Sequence, residues 1–197
     1  MARRRPKPDR RVSLTRTQRR LRAEIEEIAS IANMDHWNIL NYEEERRTPQ
    51  LELMKDQLVR GEIIVTYTFI DELLSDIIVN KYFRGPDKQF TYKRLWRTKK
   101  FQAFSHHVLD GMYLLGKMRL VHDLRAIPKE HRDTIDRLNA LRNALAHSFF
   151  PQQRHQYRQH KKVVYRDLEI FTVQGFTRFQ EDRQRIVDYL LKRAFGI

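Results

Sequence analysis

Glycine and proline, the residues that most often interrupt regular structure, occur only 6 times each in this 197-residue chain. A sheet-rich domain needs turn residues every ~8–12 positions, so this scarcity favours long helices. Apolar side chains also recur at helical spacing along much of the chain. We therefore predict an all-α fold, a helical bundle of about five helices. The β-prone residues 163–174 predict a small β-hairpin before the last helix.

Caps and breakers set the expected bounds of these helices. Ser13 or Thr15 is suited to cap the first helix, and Pro49 suits the first turn of the second. Gly61 predicts a break in that second helix or a close contact with a neighbour. We expect helices at 15–31, 51–83, 101–120, 132–147 and 177–194, of which 132–147 has the most regular apolar stripe: Ile135, Leu138, Leu141 and Leu145.

The segment 88–100 is basic and carries three aromatic residues, Phe90, Tyr92 and Trp96. Such a pattern can bind RNA through stacking and phosphate contacts. The alternative, which we favour, is that these rings belong to the core side of an amphipathic helix.

The absence of cysteine excludes several classes of site at once. Without cysteine there is no disulfide framework, no cysteine-ligated zinc, no iron–sulfur cluster and no thiol nucleophile. His155 and His160 lie in a polar stretch without an acidic residue between them, so we expect no metal site and no cofactor. No apolar run approaches the ~20 residues of a membrane span. We expect a cytoplasmic protein with no membrane partner.

Positive charge is concentrated at the N-terminus. The chain has a formal net charge of +14, and residues 1–22 hold ten Arg and Lys residues and one acidic residue. We expect residues 1–13 to be a disordered basic arm and residues 14–197 to form a single helical domain. The charge of this arm indicates either contacts with the phosphates of a nucleic acid or only a solubilising tail. Its candidate nucleic-acid-binding residues are Arg3, Arg4, Arg5, Arg10 and Arg11.

The helix predicted at 132–147 also carries a polar seam. Asp136, Asn139, Asn143 and His147 are three, four and four residues apart, so they share one face, with Arg142 beside them. Histidine moves protons near neutral pH, and the arginine fork matches phosphate oxygens. Asn143 could fix the histidine ring or donate to a phosphate oxygen. These types suit metal-independent cleavage of RNA by its own 2′-hydroxyl group.

This segment resembles the HEPN superfamily of helical bundles, which is known by an Arg and a His a few residues apart on a late helix. Arg142 and His147 have four residues between them, and Asn143 matches the polar residue that commonly follows the motif arginine. Arg125 with His131 and Arg154 with His160 have similar spacing but not this context. The resemblance extends loosely from residue 51 to the C-terminus.

The resemblance implies an endoribonuclease of toxin–antitoxin or anti-phage defence type, with Arg142, His147 and Asn143 as catalytic residues. It also implies RNA as substrate, a homodimer with both motifs at the twofold axis, and a cognate antitoxin protein as a further partner. One branch of the family is regulated by AMP attached to a tyrosine two residues after the motif histidine, where this chain has Phe149.

Other interpretations of the same residues stay open. Arg142 could pair with Asp133, Asp136 or an acidic residue of another helix, and His147 could be favoured at a helix C-terminus by the helix dipole alone. The chain would then be a non-catalytic HEPN-like nucleic-acid-binding or regulatory protein. A third alternative is a pure protein-interaction subunit.

Overall fold

The structure is a computed structural model that describes residues 15–31, 40, 42–83, 92–146 and 163–195. The predicted arm at residues 1–13, its five arginines and His147 lie outside the described residues. The helices and strands, in chain order, are α1 (Arg16–Ile31), α2 (Glu44–Phe83), α3 (Tyr92–Leu95), α4 (Lys99–Phe104), α5 (Leu114–Leu124), α6 (Lys129–Ala146), β1 (Val164–Tyr165), β2 (Leu168–Glu169) and α7 (Val173–Phe195).

The prediction of an all-α bundle is confirmed. Five of the helices described here are longer than ten residues, and the described strands form one antiparallel hairpin, β1 with β2, directly before α7. Val173 and Gln174, which we assigned to the hairpin region, instead open α7. None of the helices within the described ranges is long and apolar enough to cross a membrane.

The chain divides into two compact units, residues 1–55 and 56–197, and the division falls inside α2. The first unit contains α1, where an exposed Arg20 pairs with Glu24 at 2.8 Å, and the beginning of α2, where Arg47 Nε donates to the Tyr42 carbonyl at 3.0 Å. The prediction of a single domain from residue 14 stays a prediction.

The hydrophobic core of the second unit is built from α2, the α4–α5 region, α6, the hairpin and α7. The predicted stripe of α6 is confirmed, because Ile135, Leu138, Leu141 and Leu145 are all buried. From α6 the stripe faces α5, α7 and β1. This packing fixes the position of α6 along its axis and its rotation about that axis, and α6 is the helix that carries Arg142.

Helix α2 begins earlier than predicted, at Glu44, so Pro49 lies inside the helix and not in its first turn. Proline lacks the N–H that would bond to the Glu45 carbonyl one turn before, but an exposed helix start tolerates this loss. Glu44 and Glu45 in the first turn favour the early start, since acidic side chains stabilise a helix N-terminus. Gly61 marks neither a break nor a close contact, because a Cβ there would have no atom within 4 Å.

The helix predicted at 101–120 is interrupted. After α4 the chain makes a π-helical turn, Ser105–Leu109, and α5 begins only at Leu114. Tyr113 before it is extended, with φ −71° and ψ 157°, which is the conformation of a residue preceding a helix. Apolar periodicity runs through this interruption, and so it gave no sign of the break.

Candidate functional site

Helix α6 presents Arg142 on the side of the molecule formed with α2. Arg142 is exposed, and its guanidinium carbon lies 5.3 Å from the ring centroid of Tyr67 on α2. Its Nη1 donates to the side-chain oxygen of the neighbouring Asn143 at 3.2 Å. A guanidinium that lies over a ring and donates to one amide oxygen is oriented but keeps further N–H groups for another ligand.

Arg142 forms no salt bridge with a carboxylate of the described residues, so the alternative that it pairs with Asp133 or Asp136 is wrong for this structure. Asp133 is instead bound by Lys129 at 2.7 Å, and this contact lowers the pKa of its carboxyl. Asp136 is exposed. The charge of Arg142 is therefore not neutralised by the acids nearest to it in sequence.

The C-terminal end of α6 is fixed by Arg60 of α2. Arg60 Nη1 donates to the Leu145 carbonyl at 3.0 Å, its Nε pairs with Asp56, and its guanidinium carbon lies 6.0 Å from the Phe171 ring centroid. The last carbonyls of a helix have no partner within the helix and carry partial negative charge, so a cation there is favourable. This contact holds the chain two residues before His147.

Of the predicted catalytic residues, the structure brings Arg142 and Asn143 together, whereas His147 lies outside the described residues. Asn139 is half-buried and Asp136 is exposed on the same helix. The polar seam of α6 is thus accessible along much of its described length.

Two residues at this site were not found from the sequence, Arg60 and Tyr67. They are seven residues apart on α2 and so lie on nearby faces of that helix. This spacing is the only indication in the sequence that the two residues lie on the same side of α2. Nothing in it indicates which helix α2 would pack beside, so neither residue could be assigned to the motif.

The aromatic residues of the segment 88–100 are only partly described. Trp96 is 50% exposed, so the prediction that it belongs to the core side of a helix is wrong, although its ring packs edge-on against Phe101 at 5.2 Å. Trp96 lies in the turn between α3 and α4 and belongs to neither helix. Phe90 and the side chain of Tyr92 lie outside the described residues.

Trp96 lines a cleft of about 420 Å³ between α2, the π-helical turn and α5. Inside it the buried Lys117 donates to Asp71 at 2.6 Å. In the next turn of α2, burial and the Glu72 carboxylate raise the pKa of Asp76 to about 6. In the part of the chain that the structure describes, no group of three or more His, Asp or Glu side chains is arranged to bind a metal ion.

Comparison of the chain with protein-family models, with curated proteins and with solved structures found no match. The resemblance to the HEPN superfamily therefore rests on the motif residues and their surroundings alone.

Proposed function

We propose that the protein is a metal-independent endoribonuclease of the toxin–antitoxin or anti-phage defence type. The observation that carries the proposal is the state of Arg142. It is exposed, oriented by Tyr67 and Asn143, and has no carboxylate partner among the described residues. A guanidinium in this state suits a phosphate, because its planar fork matches two phosphate oxygens.

In the proposed reaction the 2′-hydroxyl oxygen of one nucleotide bonds to the adjacent phosphorus, and the bond from phosphorus to O5′ breaks. His147 takes the proton from the 2′-hydroxyl, and an acid returns a proton to O5′. Arg142 stabilises the negative charge that builds up on the phosphate oxygens. Asn143 positions Arg142 through its side-chain oxygen. The products carry 2′,3′-cyclic phosphate and 5′-hydroxyl ends.

The proposed active form is a homodimer. Arg142 and His147 are five residues apart, which corresponds to ~140° around an ideal helix, so one helix presents them poorly to one phosphate. A second copy across a twofold axis supplies the complementary histidine as the acid.

The matched test of the site compares Arg142→Gln with Arg119→Gln. Both remove one exposed arginine, but Arg119 lies on α5 and not on the motif helix α6. We expect Arg142→Gln to lower RNA cleavage by about 100-fold or more, the range for loss of an oriented donor to a transition state, and Arg119→Gln to leave it unchanged. Equal activity of the two variants contradicts the proposal. The RNA substrate, the cytoplasmic location and a cognate antitoxin belong to the same proposal.

A second candidate is a non-catalytic nucleic-acid-binding or regulatory protein of the same helical type. It is favoured by the concentration of positive charge in residues 1–22. Deleting residues 1–22 abolishes RNA binding under this alternative, and binding by the intact chain falls steeply with salt. Under the ribonuclease proposal the same deletion only weakens cleavage.

A further inference from the structure

A second concave site lies between α6 and the β-hairpin. It has a volume of about 280 Å³ and is lined by Arg137, Ala140, Leu141 and Ala144 of α6 and by residues 163–166 of the hairpin. Its lining is mostly apolar, with one arginine on each wall, Arg137 from α6 and Arg166 from the hairpin. An apolar pocket with a few convergent charged groups is the usual form of a small-molecule site.

Of the two arginines in the pocket wall, only Arg166 is paired with a carboxylate among the described residues. Among the described residues, the buried carboxylate of Asp182 already accepts from the Tyr165 hydroxyl at 2.8 Å and pairs with Arg166 Nε at 2.7 Å. Asp133, one turn before Arg137 on α6, is bound by Lys129. Arg137 therefore has no carboxylate partner among the described residues.

Arg137 is also incompletely satisfied. Its Nη1 atom is buried and has no hydrogen-bond partner within the described ranges. Leaving a buried donor of a charged group without a partner costs at least about 1–3 kcal/mol. Nη1 itself is buried, so an anion in the pocket would contact the part of Arg137 that lines it and would supply the counter-charge that the described part of the protein does not.

Arg166 is held in an unusual backbone conformation at the edge of the pocket. The hairpin turn has φ 46° at Arg166 and φ 66° at Asp167, the left-handed region that hairpin turns usually fill with Asn and Gly. A side chain in this region costs ~1 kcal/mol, and the ion pair with buried Asp182 holds it there. Strained residues of this kind cluster at ligand sites.

We propose that this pocket binds a single nucleotide, with its phosphate between Arg137 and Arg166 and its sugar or base on the apolar wall formed by Leu141 and Val163. Guanidinium groups match phosphate oxygens, and a pocket of about 280 Å³ lies at the small end of ligand sites, so it takes no more than one nucleotide. The nucleotide is either free or one unit of an RNA strand. This proposal goes beyond the ribonuclease activity and does not depend on it.

The test is calorimetric titration of the full chain with 5′-UMP and with uridine, which lacks the phosphate. We expect UMP to bind and uridine to bind at least about tenfold more weakly, the effect of charge-assisted contacts. Arg137→Gln weakens UMP binding at least about tenfold, whereas Arg119→Gln changes it less than about twofold. Ala144→Leu fills the pocket without changing charge and weakens UMP binding as Arg137→Gln does.

An oligouridylate separates the two sources of the nucleotide. If the pocket binds one unit of an RNA strand, Arg137→Gln weakens the binding of the oligonucleotide as well as the binding of UMP. If it takes a free nucleotide, only UMP binding is affected. Equal binding of UMP and uridine, or UMP binding unaffected by both Arg137→Gln and Ala144→Leu, overturns the proposal. Because 5′-UMP and uridine have no internucleotide bond to cleave, their titrations are independent of the result for Arg142→Gln.

Discussion

The guanidinium carbon of Arg142 lies 5.3 Å from the ring centroid of Tyr67, so α2 and α6 jointly orient the candidate phosphate-binding arginine. Because the ring contacts the guanidinium through its π face, the N–H groups at its edge are left for a ligand. The contact also connects the motif to a helix some 70 residues earlier in the chain, which the motif itself does not indicate.

Replacing Tyr67 by leucine removes the ring and keeps an apolar side chain. At an exposed site a cation–π contact contributes ~0.5–1 kcal/mol, so we expect Tyr67→Leu to lower RNA cleavage about 2–5-fold. The matched control is Tyr67→Phe, which keeps the ring and should retain full activity. If Tyr67→Phe lowers cleavage as much as Tyr67→Leu does, the hydroxyl and not the ring is important, and this account of Arg142 is wrong.

Arg60 and Asp56 form a largely buried ion pair, with side chains 15% and 13% exposed, at the end of α6. Breaking such a pair on one side leaves an uncompensated charge, so Arg60→Ala should lower the free energy of unfolding by about 3 kcal/mol. The double variant Asp56→Ala/Arg60→Ala should lose less than the sum of the two single variants in urea denaturation. Additive losses would mean that the two side chains act separately.

The fold could be predicted from the sequence wherever apolar periodicity was long and regular. The stripe of Ile135, Leu138, Leu141 and Leu145 predicted both the helix α6 and its buried face, and β-branched residues predicted the hairpin. The start of α2 was not predictable, because proline is tolerated near the beginning of a helix and Pro49 therefore does not mark its first turn. The break before α5 was not predictable, because the apolar periodicity continues across Gly111.

The candidate site was predictable only within one helix. Arg142 and Asn143 are neighbours in sequence, whereas Tyr67, Arg60 and the wall of the pocket at Arg166 come from elements whose packing the sequence does not specify. The exposure of Trp96 was missed for a related reason. Helix α3 ends at Leu95, just before Trp96, and the pattern of aromatic residues does not indicate this end.

Two glycines make a matched pair for testing the packing of α7. A Cβ at Gly175 would lie 2.1 Å from the Glu169 carbonyl oxygen, and one at Gly61 would meet no atom within 4 Å. We expect Gly175→Ala to lower the free energy of unfolding by about 1–3 kcal/mol, because backbone must shift. Gly61→Ala should raise it by about 0.5–1 kcal/mol, since alanine is the better helix former. Both are measured by urea denaturation, and a stable Gly175→Ala would contradict the close contact of α7 with β2.

Asp76 should make stability depend on pH. Its pKa of about 6 in the fold exceeds the usual 3.8, so the folded protein binds this proton more tightly than the unfolded chain. Its contribution is complete below pH 3.8 and is lost as the pH rises through 6. Asp76→Asn should therefore stabilise the protein at pH 7.5, by about 1 kcal/mol after allowance for solvent screening, and much less at pH 4.5.

The control for this prediction is Glu72→Gln, which removes the carboxylate that acts on Asp76 together with burial. It should bring the pKa of Asp76 closer to its usual value and weaken the pH dependence between 4.5 and 7.5. An equal gain from Asp76→Asn at both pH values would show that the effect comes from packing and not from titration.

The central claim is that the motif on α6 cleaves RNA without a metal ion. The most direct measurement is cleavage of a mixed RNA substrate in EDTA by the intact protein and by His147→Ala. The account predicts EDTA-resistant cleavage with 2′,3′-cyclic phosphate ends by the intact protein and none by the variant. Absence of cleavage by a folded intact protein, or equal cleavage by both proteins, would contradict it.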